Sequence, residues 1–573
     1  VQGAESVSPV RNEIVYWEVN CHMNVFSWIR RQSAETWFWQ VALVIAVWAF
    51  VIVLHLDNDG LWYQGDAPRH AMNGFFWRDY LASPSTDPLG FALSYYARYP
   101  AINPTAYPPV FYILEGAAYS IFGGSGYVAK SLVLLFALMA SLYATAWLRR
   151  WVGEEAGFGG PLLLLLPGMI RWSHAVMLSV PGLAFGLAAL YHARRWLETS
   201  SSRQLCLAAA FSVLAMFTHY LAGIVIPLIF VLILFERPRH MAKPRMLFIL
   251  LALAIPIILA ALIAYRYAPH HFSLVMPRLI KWTRLAAWKS YIRKPPSAFG
   301  AVPLVMAALG LLAGTLDRTR RRESMLLGIL AVLCYGAFSC MGSREARYFL
   351  LSGLPILALG LMFLFAVGDW IANRWKRDRT TCRVLGIALY AVCCVAAAPR
   401  VEVPVLQGFP QVAAFFKKVA PAEPVLYDGW HDGVFVFHVR ADDPDLHRHV
   451  VRGSKLLYMI SINGRRCISR NISTTPELIE WIRTRSGCRW IAAERGAYSE
   501  RFSTARILRN ALKGKQFEYV RSFPIQGRGV QGIDIYRVRF PIRAPDRLEF
   551  QFPHFDPKKT FRLKPIKCRD RDG

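Results

Sequence analysis

The chain has 573 residues, 55% of them hydrophobic and only 18% charged, with 67 Lys and Arg against 37 Asp and Glu for a net charge of +30. So apolar a composition excludes intrinsic disorder, and the length exceeds the roughly 250–300 residues at which a single soluble core stops growing. The charge alone fits a nucleic-acid binder, but basic residues in an apolar chain usually gather at membrane surfaces, so their placement decides.

In chain order, residues 1–37 precede the first apolar block. Blocks follow at Trp39–Leu56, Val128–Leu148, Pro161–Ile170, Val176–Tyr191, Leu205–Phe217, Leu221–Phe235, Met246–Tyr265, Val302–Leu316, Met325–Met341, Phe349–Val367 and Val384–Ala398. A bilayer core takes roughly 20 apolar residues as helix, so the blocks predict about eleven spans over residues 38–399. Pro161–Ile170 and the pair split at Thr218–Tyr220 are the weakest. Trp39–Leu56 starts too late and lacks the small-residue cleavage site of a removable leader.

The basic clusters set an orientation. Arg30–Arg31, Arg149–Arg150, Arg194–Arg195 with Arg203, Arg237 to Arg245, Arg318 to Arg322 and Arg374 to Arg383 flank alternate blocks. The positive-inside rule makes these ends cytoplasmic, with the N-terminus inside. The loop 57–127 and everything after Pro399 then lie outside. A bacterial inner membrane with its periplasm suits this arrangement.

After residue 400 the composition changes. Val425–Tyr427, Val434–Val439, Leu456–Ile460, Trp490–Ala492 and Ile533–Val538 read as strands, and Thr475–Arg485 as a capped helix. Residues 400–550 are therefore expected as an extracytoplasmic α/β domain, with a basic tail at 551–573. Cys467 and Cys488 fall in this region, where a disulfide is permitted. No Walker loop, zinc-protease motif or nucleophile elbow is present. About +13 of the net charge follows residue 400. Anionic lipid headgroups or an anionic envelope glycan would explain that share.

The loop 57–127 is too long for a bare connector, and loops of that length are usually functional. Asp57, Asp59, Asp66, Asp79 and Asp87 fall in it beside many Trp and Tyr residues. Carboxylates that accept sugar hydroxyls, with rings that stack on sugar faces, suit carbohydrate. Asp79 and Asp87 read as loop-solvating residues. Asp66 differs because it opens a helix, with Arg69 and His70 one turn on.

Three segments carry a resemblance: Gly65-Asp66-Ala67-Pro68-Arg69-His70, then Tyr107-Pro108-Pro109-Val110-Phe111-Tyr112 with Phe122-Gly123, then Arg344-Glu345-Ala346-Arg347-Tyr348-Phe349-Leu350-Leu351 with Pro355. In that order they resemble GT-C glycosyltransferases of the protein O-mannosyltransferase and lipid A aminoarabinose transferase type, over residues 38–400. The resemblance implies an α-helical polytopic enzyme that moves a hexosyl or pentosyl group from a polyprenyl-phosphate carrier to an acceptor. Asp66 would be the catalytic base or would hold the acceptor. Arg347 would neutralise the carrier phosphate, with Arg69 and Lys130 as further phosphate ligands. Tyr107, Pro108, Pro109 and Tyr112 would open an interfacial helix at the cavity, with His70 and Tyr348 nearby.

This chain departs from the family pattern at three places. Ala67 replaces the Glu of an Asp-Glu pair, Ser179 stands where an acidic residue is common, and His219 replaces a Lys. Fewer carboxylates make a bound divalent ion less expected, since hard cations take several oxygen ligands. The departures also keep open a non-catalytic relative that binds a lipid-linked sugar or scaffolds an envelope complex. A transporter is the weaker alternative, because few polar residues interrupt the blocks. His174 and His219, at outer membrane ends, read as packing residues or as phosphate and proton handlers. The run Lys281 to Lys294 reads as an interfacial anchor or a lid. Asp428 to Gly433 reads as a turn or an acceptor contact, and His447, Arg448, His449 and Arg452 as a solvated basic face.

Overall fold

A computed structural model describes, in the main, residues 36–55, 66–104, 107–237, 292–339, 345–453, 472–496 and 503–543, with short pieces elsewhere. Residues 281–291 of the interfacial segment expected at Lys281 to Lys294, most of the block Met246–Tyr265, and Cys467 lie outside the described residues. Cys488 is free and buried.

The first long helix is α1 (Thr36–His55). The first loop contributes α2 (Ala67–Ala82), α3 (Pro88–Arg98) and α4 (Val110–Phe122). Then come α5 (Gly126–Trp151), α6 (Ser179–Thr199), α7 (Ser202–Thr218) and α8 (Val225–Glu236). The bundle ends with α9 (Ala301–Leu316), α10 (Arg321–Ser339), α11 (Gly353–Trp375) and α12 (Arg379–Ala397). Local chemistry sets their ends. Ser125 caps α5 by accepting from the Val128 N–H at 3.2 Å, and Arg149 and Arg150 sit in its last turn beside the negative end of the helix dipole.

Among the described residues, five helices are long and apolar enough to cross a membrane, and five shorter apolar helices accompany them. Among the described residues, five of the eleven expected spans therefore reach that length. The block Pro161–Ile170 breaks at Leu166, which is extended before Pro167, into two short helices. Proline removes a helical N–H and forces its predecessor out of the α region.

Helices α9 and α11 cross so closely at Gly310 that a Cβ there would fall 1.8 Å from the Leu359 carbonyl oxygen. Gly310→Ala is expected to force the helices apart and cost about 1–3 kcal/mol, as overpacking does. The thermal unfolding midpoint in detergent measures this, and an unchanged midpoint contradicts it.

One end of the bundle gathers the basic clusters into ion pairs. Arg194 bonds Glu236 at 2.6 Å and Glu323 at 2.5 Å, and lies over the rings of Trp147 and Trp151. Asp369 takes Arg383 at 2.7 Å and Arg320 at 2.8 Å. The guanidiniums that flank alternate blocks in sequence thus meet carboxylates at a common end.

Beyond α12 the chain forms α13 (Phe409–Val419) and a five-stranded sheet. Its strands are β1 (Pro424–Asp428), β2 (His449–Arg452), β5 (Trp490–Arg495), β6 (Phe517–Pro524) and β7 (Gly532–Val538). Between β2 and β5 lie the hairpin strands β3 (Tyr458–Ile460) and β4 (Ile468–Arg470). The sheet order is β2-β1-β5-β7-β6, parallel across its first three strands and antiparallel across the rest. The helix expected at Thr475–Arg485 runs over Thr475–Trp481 and closes with a wider turn at Ile482–Ser486.

Val434–Val439 is not a strand. It lies within α14 (Asp432–Ala441), where Val434, Phe435, Val436, Phe437 and Val439 are all buried. A helix covered on every side shows no 3.6-residue period, and tertiary packing overrides the strand preference of Val and Phe. Neither Arg448 nor Arg452 is solvated: both are buried, and Arg452 Nε donates to Asp432 at 2.6 Å. Asp428 ends β1, residues 429–431 turn, and Asp432 begins α14.

Candidate functional site

Two aspartates of the first loop each precede a proline, and the proline's position separates their roles. Asp87 caps α3, accepting from the Leu89 and Gly90 N–H groups at 3.1 and 2.9 Å. Its proline is the first helical residue, whose N–H no cap requires. Asp66 stands at the same place before α2, but Pro68 is the second residue and has no N–H to offer. The Asp66 side chain makes no capping bond. Its carboxylate is 46% exposed and faces Arg347, with Oδ2 3.6 Å from Nη2.

Arg347 comes from the 3₁₀ turn Ala346–Ser352 that leads into α11. Its side chain is only 7% exposed. The guanidinium lies over the rings of Trp172 and Tyr348, at 5.4 and 5.3 Å. Its hydrogen bonds among the described residues are long and weak: Nη1 to Met177 Sδ at 3.4 Å and Nη2 to Tyr348 Oη at 3.5 Å. The nearest carboxylates, Asp66 and Glu345 at 3.6 and 4.0 Å, lie beyond hydrogen-bond reach. A buried guanidinium has five donors to satisfy, so this arrangement leaves capacity for an anion.

Beside Arg347 opens a small cavity of about 30 Å³, lined by Ser179, Gly182, His219, Phe338, Arg347 and Tyr348 among others. Ser179 is the first residue of α6. His219 sits in extended backbone where α7 stops, and its ring stacks on Tyr348 at 6.2 Å.

His70, one turn into α2, is buried. Its Nδ1 lies 2.6 Å from Tyr112 Oη, and its ring meets that of Tyr107 edge-on at 4.9 Å. Burial pushes the His70 pKa down to about 3, and the nearby arginines Arg347 and Arg69 push the same way, so the ring is neutral near pH 7. Burial raises the Asp66 pKa, but His70, Arg69 and Arg347 outweigh it and hold the carboxyl below its usual value.

The structure therefore brings Asp66, Arg69, His70, Tyr107, Tyr112, Ser179, His219, Arg347 and Tyr348 to one region. Pro109 precedes the first residue of α4, and Pro108 is buried beside it. Lys130 and His174 are placed elsewhere. Lys130 is buried in α5 and donates to the Gly60 carbonyl at 2.9 Å. His174 is buried, with Nδ1 2.8 Å from the Ile170 carbonyl and its ring against His55. Among the described residues no contact joins either to the Asp66–Arg347 pair. Nor is Asp79 loop-solvating: it is mostly buried and bonds Arg440 at 2.5 Å. Sequence reasoning missed Trp172 and Met177 as neighbours of Arg347. A Trp one residue after Arg171, in a connection between blocks, was the available signal.

These elements define a membrane protein with the GT-C fold. Residues 106–263 match the family model described as dolichyl-phosphate-mannose-protein mannosyltransferase, which is under half of the chain. Among solved structures, the chain is similar to ArnT from Cupriavidus metallidurans bound to undecaprenyl phosphate, at TM-score 0.54 and 14% identity, covering 88% of this chain and 99% of that one. It is also similar to the archaeal oligosaccharyltransferase AglB from Archaeoglobus fulgidus, in complex with an inhibitory peptide and a dolichol-phosphate. That match has TM-score 0.52 and 13% identity, covering 80% of this chain and 69% of that one. Among proteins of curated function, none matches this chain in sequence.

Proposed function

We propose that this protein is a membrane glycosyltransferase that moves a sugar from a polyprenyl-phosphate carrier to an acceptor on the extracytoplasmic face, with inversion. The observation that carries the reading is a buried, under-paired Arg347 at a cavity wall opposite the uncapped Asp66 carboxylate. The carrier phosphate takes Arg347, the sugar occupies the cavity mouth, and Asp66 accepts the proton of the acceptor hydroxyl. The hydroxyl oxygen bonds the anomeric carbon as the bond to the phosphate oxygen breaks, and Arg347 stabilises the charge that develops there.

In the free site His70, Arg69 and Arg347 together make Asp66 a weaker base. A bound phosphate neutralises the Arg347 guanidinium and adds negative charge, so the carboxylate becomes more basic once donor is in place. On this reading His70 is a neutral hydrogen-bond partner that keeps Tyr112 and Tyr107 in position.

On this reading the sheet domain after residue 400 lies on the extracytoplasmic side, and the ion-paired end of the bundle faces the cytoplasm. Among the described residues no three His, Cys, Asp or Glu side chains converge as a metal site requires. The proposed steps assign no role to a protein-held ion.

Incubation with a panel of labelled polyprenyl-phosphate sugars tests the proposal, with and without EDTA. Release of polyprenyl phosphate with transfer of label, unchanged by EDTA, is the expected result. Lipid that stays bound and intact across the panel points instead to the non-catalytic binder.

A further inference from the structure

Helix α14 belongs to the sheet domain, yet it packs along α2, the helix that begins after Asp66. The contacts pair start with start and end with end. A Cβ at Gly433 would lie 3.3 Å from the Pro68 Cβ. The rings of Phe437 and Phe75 meet at 5.6 Å. At the far end Arg440, 1% exposed, bonds Asp79 of α2 at 2.5 Å. Its Nε donates to Tyr95 Oη of α3 at 3.0 Å, and its Nη1 donates to the Asp443 carbonyl at 2.5 Å. The guanidinium also covers the rings of Phe75 and Tyr99.

On its other side α2 is closed by α4. A Cβ at Gly74 would fall 2.5 Å from Glu115 Oε2, so the two helices meet without slack. The His70–Tyr112 contact and the Asn103 N–H donated to Asn73 hold the first half of α2, and its far half meets α14 at Arg440, where a slide along the axis would have to break the Asp79 pair. The Arg440 fork, fixed by hydrogen bonds and two rings, opposes that slide.

We propose that Arg440 is a positioning residue for Asp66. Through Asp79 it fixes α2 along its axis, and so sets the separation of the Asp66 carboxylate from Arg347 from roughly 20 Å away along the helix. The C-terminal sheet domain is then a working part of the site. The inference rests on the proposed sugar transfer, and one of its readouts needs no turnover.

Arg440→Gln is expected to lower kcat by about 10- to 100-fold, as a misplacement near 1 Å does, with the donor KM changed by less than about threefold. Activity is normalised to the folded fraction from thermal unfolding, so instability alone does not reproduce the result. Rescue is the second arm. Disulfides join Cβ atoms about 3.8 Å apart, so Pro68→Cys with Gly433→Cys provides a crosslink between α2 and α14; because Pro68→Cys adds an N–H beside Asp66, the reference for this arm is the crosslinked pair that keeps Arg440. In the Arg440→Gln background, oxidation restores kcat to that of the crosslinked pair with Arg440 intact, and reduction removes it. The third arm is affinity for undecaprenyl phosphate. Moving Asp66 from Arg347 strengthens phosphate binding, so Arg440→Gln tightens it. Added to Asp66→Asn, Arg440→Gln tightens it no further, a non-additivity that marks a shared effect.

Wild-type kcat in Arg440→Gln overturns the proposal, as does a crosslinked protein that stays slow, or additive effects on phosphate affinity. A wild-type chain that binds the phosphate and transfers no sugar, with the two substitutions still non-additive on phosphate affinity, overturns the enzymatic reading and leaves the positioning role standing.

Discussion

Asp66→Asn is expected to lower sugar transfer by about 100- to 10,000-fold, the range a general base contributes. Asn keeps the shape of the side chain and cannot take the acceptor proton. The carboxylate makes no helix-capping bond and is half exposed, so folding and membrane insertion should be unaffected. Donor lipid should bind at least as tightly, because a negative charge beside the phosphate site is gone. The pH profile carries a second signature. In the free enzyme His70, Arg69 and Arg347 together hold the Asp66 pKa below its usual value, so the acid limb of kcat/KM falls below the ordinary carboxylate range. The limb of kcat reports the donor complex, where the phosphate has drawn off Arg347, and it should lie at higher pH. Coincident limbs contradict the proposed priming of the base by donor. Full activity in Asp66→Asn contradicts its role altogether.

Arg347→Ala is expected to lower kcat by about 100- to 1,000-fold, as removal of one donor to a developing oxyanion does. The donor KM should rise as well, since the same guanidinium binds the ground-state phosphate. Arg347→Lys should recover little of this. An ammonium has no planar fork and stacks poorly between rings such as those of Trp172 and Tyr348. Steady-state kinetics on a labelled donor separates the two effects. A Lys variant with near-wild-type kcat would show that a point charge suffices and that the ring-flanked geometry is incidental.

Much of the membrane part is legible in the sequence because lipid imposes long apolar helices, and Asp66 and Arg347 are legible because each sits in a short recognisable segment. Their juxtaposition is not. It spans 281 positions, and it follows from the break before Pro167 and the 3₁₀ turn at Ala346–Ser352. The separate roles of Asp66 and Asp87 are readable afterwards, from a proline one place further along. The sheet domain is legible in part. Val425–Tyr427 and Ile533–Val538 sit in strands, whereas Val434–Val439 misleads because a fully enclosed helix has no polar face to mark its period. Arg440 and Asp79 are 361 positions apart, and no local pattern links them. Each looks like surface charge until the fold buries them together.

The most direct measurement is an experimental structure with a polyprenyl-phosphate sugar bound. The account predicts the phosphate within hydrogen-bond distance of the Arg347 guanidinium, with the anomeric carbon facing the Asp66 carboxylate. A phosphate held away from Arg347, for instance at Lys130, or a sugar turned from Asp66, would contradict it.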